Sequence, residues 1–382
     1  FSFVYPIRKT WKGRNFVLSL NYLKKYDFDR SFDLGFNNIT ASNGVRVLLP
    51  QGGFVNIPGG LIASTKSTYR YRQEGSLSTL SPAFGMELSD KLSVGAVVNI
   101  WNESLVPGNE WKTRNEITAR NRVNGIPQAR TVLHVDEDFD NFKGINYTLG
   151  LLYKPNDRWS IGAVYHSKFT GDVNYKIRQE VRVAGIRGLP VTSKRKKHYT
   201  FPSSFGLGVS YRFPNDKLTV AMDVTRTEWD QFEILDPQNR NPWMRRISGV
   251  SGMAMNQTPD IDPTYTVRAG MEYVFVNQNK PKQKIMPSIR AGVFYDPEPS
   301  TGRDDAFWGM GVNTLTKNGN GKPDDFYGVS LGAGVLLCNR VNLDLAYTYR
   351  WGKNARRDTL GLGWTDIDVD QHMLYFSTVI YF

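Results

Sequence analysis

The stretch Ser204-Phe205-Gly206-Leu207-Gly208-Val209-Ser210-Tyr211-Arg212-Phe213 decides the fold class. Phe205, Leu207, Val209, Tyr211 and Phe213 alternate with Ser204, Gly206, Gly208, Ser210 and Arg212. A period of two is the signature of a β-strand whose faces meet different surroundings. It returns at 265–275, where Tyr265, Val267, Ala269, Met271, Tyr273 and Phe275 oppose Thr266, Arg268, Gly270 and Glu272. It recurs at 16–22, 92–100, 145–153, 218–224, 327–337 and 341–349. The polar face is mostly Gly, Ser, Thr and Asn, whereas a sheet face in open water would carry more Lys and Glu. Small polar residues suit a confined lumen, and the apolar face suits lipid.

Connection lengths separate a membrane barrel from a sandwich or propeller. Short links stand at Trp11-Lys12-Gly13, Ser89-Asp90-Lys91, Pro155-Asn156-Asp157-Arg158, Pro214-Asn215-Asp216-Lys217 and Cys338-Asn339-Arg340. Long segments lie near 39–70, 103–141, 182–198, 236–262, 300–323 and 353–366, and only the link at 276–284 blurs the alternation. Tight turns on one side and long loops on the other are the habit of outer-membrane barrels. Trp159 beside a short turn is expected at the periplasmic girdle, and Trp101, Trp229 and Trp351 near long loops at the outer one. The ending Met373-Leu374-Tyr375-Phe376-Ser377-Thr378-Val379-Ile380-Tyr381-Phe382 is an alternating aromatic strand of the kind that outer-membrane assembly machinery reads.

Composition agrees. Of 382 residues, 40% are hydrophobic and 13% aromatic, and the mean hydropathy is -0.42. That average is the cancellation of two alternating faces, and no run approaches the ~20 apolar residues of a spanning helix. One Cys, Cys338, and four scattered His give neither a disulfide framework nor a metal-ligand spacing. The net charge of +12 gathers in segments such as Ser193-Lys194-Arg195-Lys196-Lys197-His198, which would meet lipopolysaccharide phosphates at the cell surface. No separate stacking platform points to nucleic acid. Asp136-Glu137-Asp138 with Asp140, and Asn318-Gly319-Asn320-Gly321 with Asp324-Asp325, lack regular calcium spacing and read as solvated loops.

About thirteen strands are expected: 1–9, 14–30, 71–87, 91–104, 142–154, 158–181, 198–213, 217–234, 264–276, 285–297, 325–337, 340–352 and 367–382. Bacterial barrels have even counts. The opening Phe1-Ser2-Phe3-Val4-Tyr5 is already apolar, so one strand is expected upstream, the alternative being a strand hidden in 53–61. The expected fold is an all-β, transmembrane, antiparallel up-and-down barrel forming a single domain over 1–382, with its C-terminus periplasmic.

The run Phe201-Pro202-Ser203-Ser204-Phe205-Gly206-Leu207-Gly208-Val209-Ser210-Tyr211-Arg212, continuing through Leu218–Asp223 to Trp229-Asp230-Gln231-Phe232, resembles the central strands of the FadL/TodX family of outer-membrane transporters. So do Tyr265–Tyr273 and Pro287–Asp296, and Phe3-Val4-Tyr5-Pro6 looks like that family's second strand. The resemblance implies fourteen strands and an N-terminal hatch, and neither the hatch nor a first strand is visible in this sequence. It also implies passive uptake of long-chain fatty acids or aromatic hydrocarbons. Substrate would be captured at extracellular loops, pass to a lumen site and leave sideways through the wall at a kinked strand. In this chain the kink would fall in 14–30, where Lys24, Lys25 and Tyr26 interrupt the alternation. No cofactor or energy source is implied.

Alternation places Arg268, Arg290 and Phe294 on the lumen face. Either Arg is a candidate to hold a substrate carboxylate; the alternative, which intramembrane charge favours, is an ion-pair network with Asp223, Glu272 and Asp344. Phe294 is a candidate to line an apolar path or simply to pack. His166 also faces the lumen, with Ser160 and Ser167 nearby, but no acidic partner motif supports catalysis. The competing functions are a general diffusion porin, a barrel enzyme and a structural or adhesive surface protein.

Overall fold

The alternating segments pair with their sequence neighbours, as their unlike faces require. The computed structural model describes residues 1–11, 14–42, 45–48, 54–57, 61–235, 246–247, 261–276, 283–299, 323–358 and 364–381. Among these, thirteen strands follow one another antiparallel as a barrel wall. In order they are Ser2–Trp11, Arg14–Asp27, the second half of Leu61–Glu87, Leu92–Asn102, the second half of Thr131–Tyr153, Trp159–His166, Ser204–Arg212, Leu218–Thr227, Thr264–Val274, Ile285–Tyr295, Phe326–Leu337, Val341–Asp358 and Trp364–Ile380. Ser2–Trp11 and Trp364–Ile380 are the two edges, each paired on one side among the described residues.

Short turns gather at one end. Cys338 and Asn339, at φ 50° and 55°, open the three-residue link, completed by Arg340, between the strands ending at Leu337 and starting at Val341. Ile380 lies opposite Val341, so the last strand also ends there. The outer surface is apolar: Leu207, Leu331 and Phe376 are 61, 64 and 72% exposed. In lipid such side chains leave water at a gain of ~25 cal/mol per Å². Among the described residues no helix is long and apolar enough to cross a membrane.

At the other end the wall departs from expectation. The segments 39–70, 103–141 and 182–198, expected as long connections, are largely strands. Leu61–Glu87 and Thr131–Tyr153, at 27 and 23 residues, belong to the wall at one end and run far beyond it at the other. Beyond the wall a second antiparallel ladder joins Arg30–Ser42, the first half of Leu61–Glu87, Glu110–Val123, the first half of Thr131–Tyr153, Phe169–Val183, Val191–Phe201 and Glu233–Leu235. Its turns are tight. Asn124 and Gly125 lie at φ 47° and 79°, and Ala184 and Gly185 at 52° and 84°, the pattern of a type I′ hairpin. The stretch suspected of hiding a strand contains one, Phe54–Ile57, paired with Val45–Leu48 outside the wall. The loop segments 236–262 and 300–323 lie mostly outside the described residues.

Two bulges keep the inner face continuous from wall to extension. The pairing of Arg14–Asp27 with Leu61–Glu87 skips a residue between Lys24 and Tyr26. That of Thr131–Tyr153 with Phe169–Val183 slips between Asp140 and Lys143, where Asn141 has φ 56°. Inserting a residue resets the alternation. Phe139 above and Phe142 below therefore both turn inward.

An aromatic core above a glycine-walled lumen

Where wall meets extension, the inward side chains form a packed core. Leu77, Trp101, Trp111, Phe139, Phe142, Phe169, Val173, Tyr175 and Phe201 are buried, and Tyr26, Phe28, Ile177 and Tyr199 pack against them. Phe169 stacks on Trp101 at 5.3 Å and on Phe201 at 5.0 Å. Phe142, fully buried, stands edge-on to Trp101, Phe169 and Phe201. Such pairs add about 0.5–1.5 kcal/mol each beyond the area they bury. Two glycines make the fit possible. Phe142 lies on Gly171 so closely that a Cβ there would collide with its ring, and Phe169 covers Gly144 at a would-be 3.1 Å. Trp101 thus sits inside the barrel rather than in the outer girdle, because its face of the strand is the one shared with Asn99.

Under the aromatic rings lies a polar belt. The indole nitrogen of Trp101 donates to Asn146 Oδ1 at 2.9 Å, and Asn99 Oδ1 accepts from Ser81 Oγ at 2.9 Å. His166 Nδ1 meets Thr148 Oγ1 at 2.8 Å. These buried and half-buried polar groups satisfy one another, as a low-dielectric site demands. Ser167, a neighbour of His166 in sequence, instead accepts the Tyr147 amide at 3.0 Å.

Beneath the belt the lumen holds a cavity of about 660 Å³, whose lining includes Gly95, Gly150, Gly162, Gly208, His166, Asp223 and Arg268. The glycines face inward across neighbouring strands: Gly95 pairs with Gly150, and Gly162 with Gly208. Leaving out these side chains is what makes room for the cavity.

The residues singled out from sequence fall in distinct places. Arg290 is held by Glu272 Oε1 at 2.8 Å and Asp344 Oδ1 at 2.5 Å, with Asn342 on the second oxygen of Asp344 at 2.6 Å. Arg268 is looser: its Nη1 stands 3.5 Å from Asp223 Oδ1, on the cavity wall. Phe294 places the tip of its ring over Gly328 of the next strand, in the space a Cβ there would fill. Lys24 Nζ donates to Asp27 Oδ2 at 2.6 Å. Lys25 occupies the bulge, near enough for its charge to act on His166. Tyr26, carried inward by the bulge, stacks on Phe201 at 5.1 Å and on Trp101 at 5.8 Å. The Lys24–Tyr26 interruption is thus a real irregularity, and it feeds the aromatic core directly.

Above the core the extension has two unlike faces. Inward, Tyr69, Ile117, Leu133 and Val181 lie side by side on four strands. Below them come Val135 and Ile177, then the buried Trp111, Phe139 and Tyr175. Tyr175 Oη donates to Glu137 Oε1 at 2.6 Å. Burial, then the Glu137 carboxylate, pushes this phenol well above its ordinary range, and the same pair of causes acts on Tyr199, so both stay neutral. Outward, charges alternate across strands: Arg114 pairs with Asp138 at 2.6 Å and Asp136 at 3.6 Å, and Lys176 reaches Asp138 at 3.9 Å. Asp136 and Asp138 therefore stand on a strand opposite cations, not in a loop.

This architecture has relatives. A model of the family described as "Outer membrane protein transport protein (OMPP1/FadL/TodX)" matches residues 52–371. The chain belongs to that family. Among solved structures, a Pseudomonas aeruginosa FadL homologue shares 16% identity, with 96% of this chain and 89% of that one covered and a TM-score of 0.51. That similarity supports the barrel fold. The Ralstonia pickettii toluene transporter TbuX shares 14% identity over 97% and 90% of the two chains at a TM-score of 0.39. The Pseudomonas putida toluene transporter TodX shares 13% over 92% and 87% at 0.41. No curated protein matches the sequence. Family and fold together place the chain in the outer membrane as a transport protein.

Proposed function

We propose that this protein admits hydrophobic small molecules, of the long-chain fatty acid or aromatic hydrocarbon type, passively through the outer membrane. The observation that carries the reading is the contrast between the two faces of the extension. Its inner face carries Tyr69, Ile117, Leu133, Val135 and Ile177 down to the buried aromatic core, interspersed with Asn115, Glu137 and Lys197. Its outer face is laced with ion pairs. An apolar molecule loses little by moving along the inner face, whereas the hydrated saccharide layer outside offers it nothing. The outer cations, Lys176, Lys194 and Lys196 among them, suit lipopolysaccharide phosphates.

Substrate then passes the aromatic core into the glycine-walled cavity, where Arg268 is the residue assigned to a substrate carboxylate. Arg290, held by two acids, serves as a structural tie. Release occurs sideways at Arg14–Asp27, and the support for that step is the bulge at Lys25. Single-domain organisation, a periplasmic C-terminus and the absence of enzymatic chemistry belong to the same proposal. One observation favours a general porin instead: the charged pairs Arg268–Asp223 and Arg290–Glu272 on one side of the lumen. Reconstitution separates the two. Uptake of a fluorescent fatty acid or of toluene into proteoliposomes, with little steady ion conductance, supports the transporter; large steady conductance with no hydrophobic uptake overturns it.

A further inference from the structure

The far tip of the extension is not shaped like the rest of it. On Phe169–Val183 and the turn that follows, Val183, Ile186, Leu189 and Val191 are 47, 76, 94 and 66% exposed. Val183 pairs with Ile186, and Val191 with Gln179, which puts the two valines and Ile186 at the outer end of the inward-facing side, with Leu189 in the connection between Ile186 and Val191. Isolated exposed aliphatics are ordinary, but a contiguous group at the extremity of a surface structure marks an interaction site.

The opposite side of the same tip is cationic. Glu180, its side chain only 6% exposed, takes Arg182 Nε at 2.8 Å, Arg187 Nη2 at 2.5 Å and Arg178 Nη2 at 3.4 Å. Three guanidiniums on one carboxylate leave a surplus of positive charge, and each Arg stays about half exposed. The arrangement is a lip with an aliphatic inner edge and an arginine outer rim. Arginine forks match carboxylate and phosphate headgroups, and the aliphatic edge matches the chains behind them.

We infer that this lip docks on the surface of anionic amphiphile assemblies, a vesicle or micelle bearing carboxylate or phosphate headgroups. The arginine rim engages the headgroups while Ile186 and Leu189 enter the acyl boundary. Docking delivers single amphiphile molecules to the inner face of the extension at its outer end. The inference extends the proposed uptake, since the lip terminates the same face; vesicle binding is measured without transport, so either reading can fail alone.

The test is co-flotation of the full chain, held in phosphatidylcholine nanodiscs, with larger vesicles. Vesicles containing phosphatidylglycerol are expected to capture at least about ten-fold more protein than phosphatidylcholine vesicles, with the difference shrinking in high salt. Arg182→Gln with Arg187→Gln removes most of that preference. Ile186→Asp with Leu189→Asp leaves the Glu180 cluster intact and cuts binding about ten-fold; Leu189 is nearly fully exposed, so folding survives. Equal capture by both vesicle types, or wild-type capture by the Asp variant, overturns the inference. So does pairing of nanodiscs through the lip in sedimentation, with no vesicle capture, which would make a second copy of the chain its partner.

Discussion

Phe142 is the residue at which the proposed passage is most easily opened. It is fully buried and meets Trp101, Phe169 and Phe201 at centroid separations of 5.9, 6.5 and 5.9 Å, all edge-on. Phe142→Ala removes a ring from a packed site whose neighbours are fixed to separate strands, so the site collapses little. The cost is about 3–5 kcal/mol, within the ~5–15 kcal/mol that folded domains possess. The barrel survives with a lower Tm, and the void joins the extension to the cavity beneath. Uptake of a bulky apolar probe into proteoliposomes is expected to rise, and bilayer recordings to show added ion leak. Gly171→Ala acts in the opposite sense at the same point, since its Cβ collides with the Phe142 ring. That substitution overpacks the core at a cost of about 1–3 kcal/mol and slows uptake. A Phe142→Ala protein with reduced Tm but unchanged flux and leak would show that the aromatic core is only a structural floor.

Arg268→Gln is expected to raise the apparent KM for a fatty acid several-fold while leaving toluene uptake unchanged, whereas Arg290→Gln lowers Tm without separating the two substrates. Ala184 sits at φ 52°, where a side chain other than Gly or Asn is disfavoured by about 1–2 kcal/mol. Ala184→Gly should therefore slow hydrogen exchange in the 181–187 hairpin, partly offset by the added freedom of glycine when unfolded. At Glu180, burial raises the carboxyl pKa, but hydrogen bonds from Arg182 and Arg187 outweigh it and hold the group below its ordinary value of 4.5. A depressed folded pKa means the tie is fully present above pH 4.5 and is lost as pH falls through the lowered value. Protection factors of the tip amides, corrected for intrinsic exchange, should therefore fall as the pH drops below 4.5 and through the lowered value, and Glu180→Gln should abolish that pH dependence.

The wall was legible because each strand announces itself locally. Phe205 through Phe213 carries its own alternation, and the links at 89–91 and 338–340 are short enough to read directly. The extension was hidden because both of its faces meet polar surroundings at some point. Arg70, Arg72, Arg114 and Lys176 on its outer face look like loop charges when read singly. Asn124-Gly125 was the available signal, since that dipeptide between apolar runs favours a two-residue hairpin. Trp101 was misplaced for a different reason. Its nearness to a long segment suggested the lipid boundary, but the buried acceptor of its indole N–H on the neighbouring strand, Asn146, fixes it on the inner side. The aromatic core could not be assembled from sequence at all. Its members come from positions as distant as Tyr26 and Phe201, and bulges at Lys25 and Asn141 decide which of them turn inward.

Leu61–Glu87 and Thr131–Tyr153 are at once membrane wall and surface structure, and this ties the height of the extension to the pleat. Leu61 to Gly75 spans roughly 50 Å at about 3.3 Å per residue. Shortening such a hairpin by one residue on each strand would exchange its two faces beyond the cut, setting arginines where aliphatic side chains belong. Trimming by two restores them. The reach of this protein above the cell surface is therefore adjustable only in even steps, and a length series built on that rule would act as a ruler for the saccharide layer it has to clear.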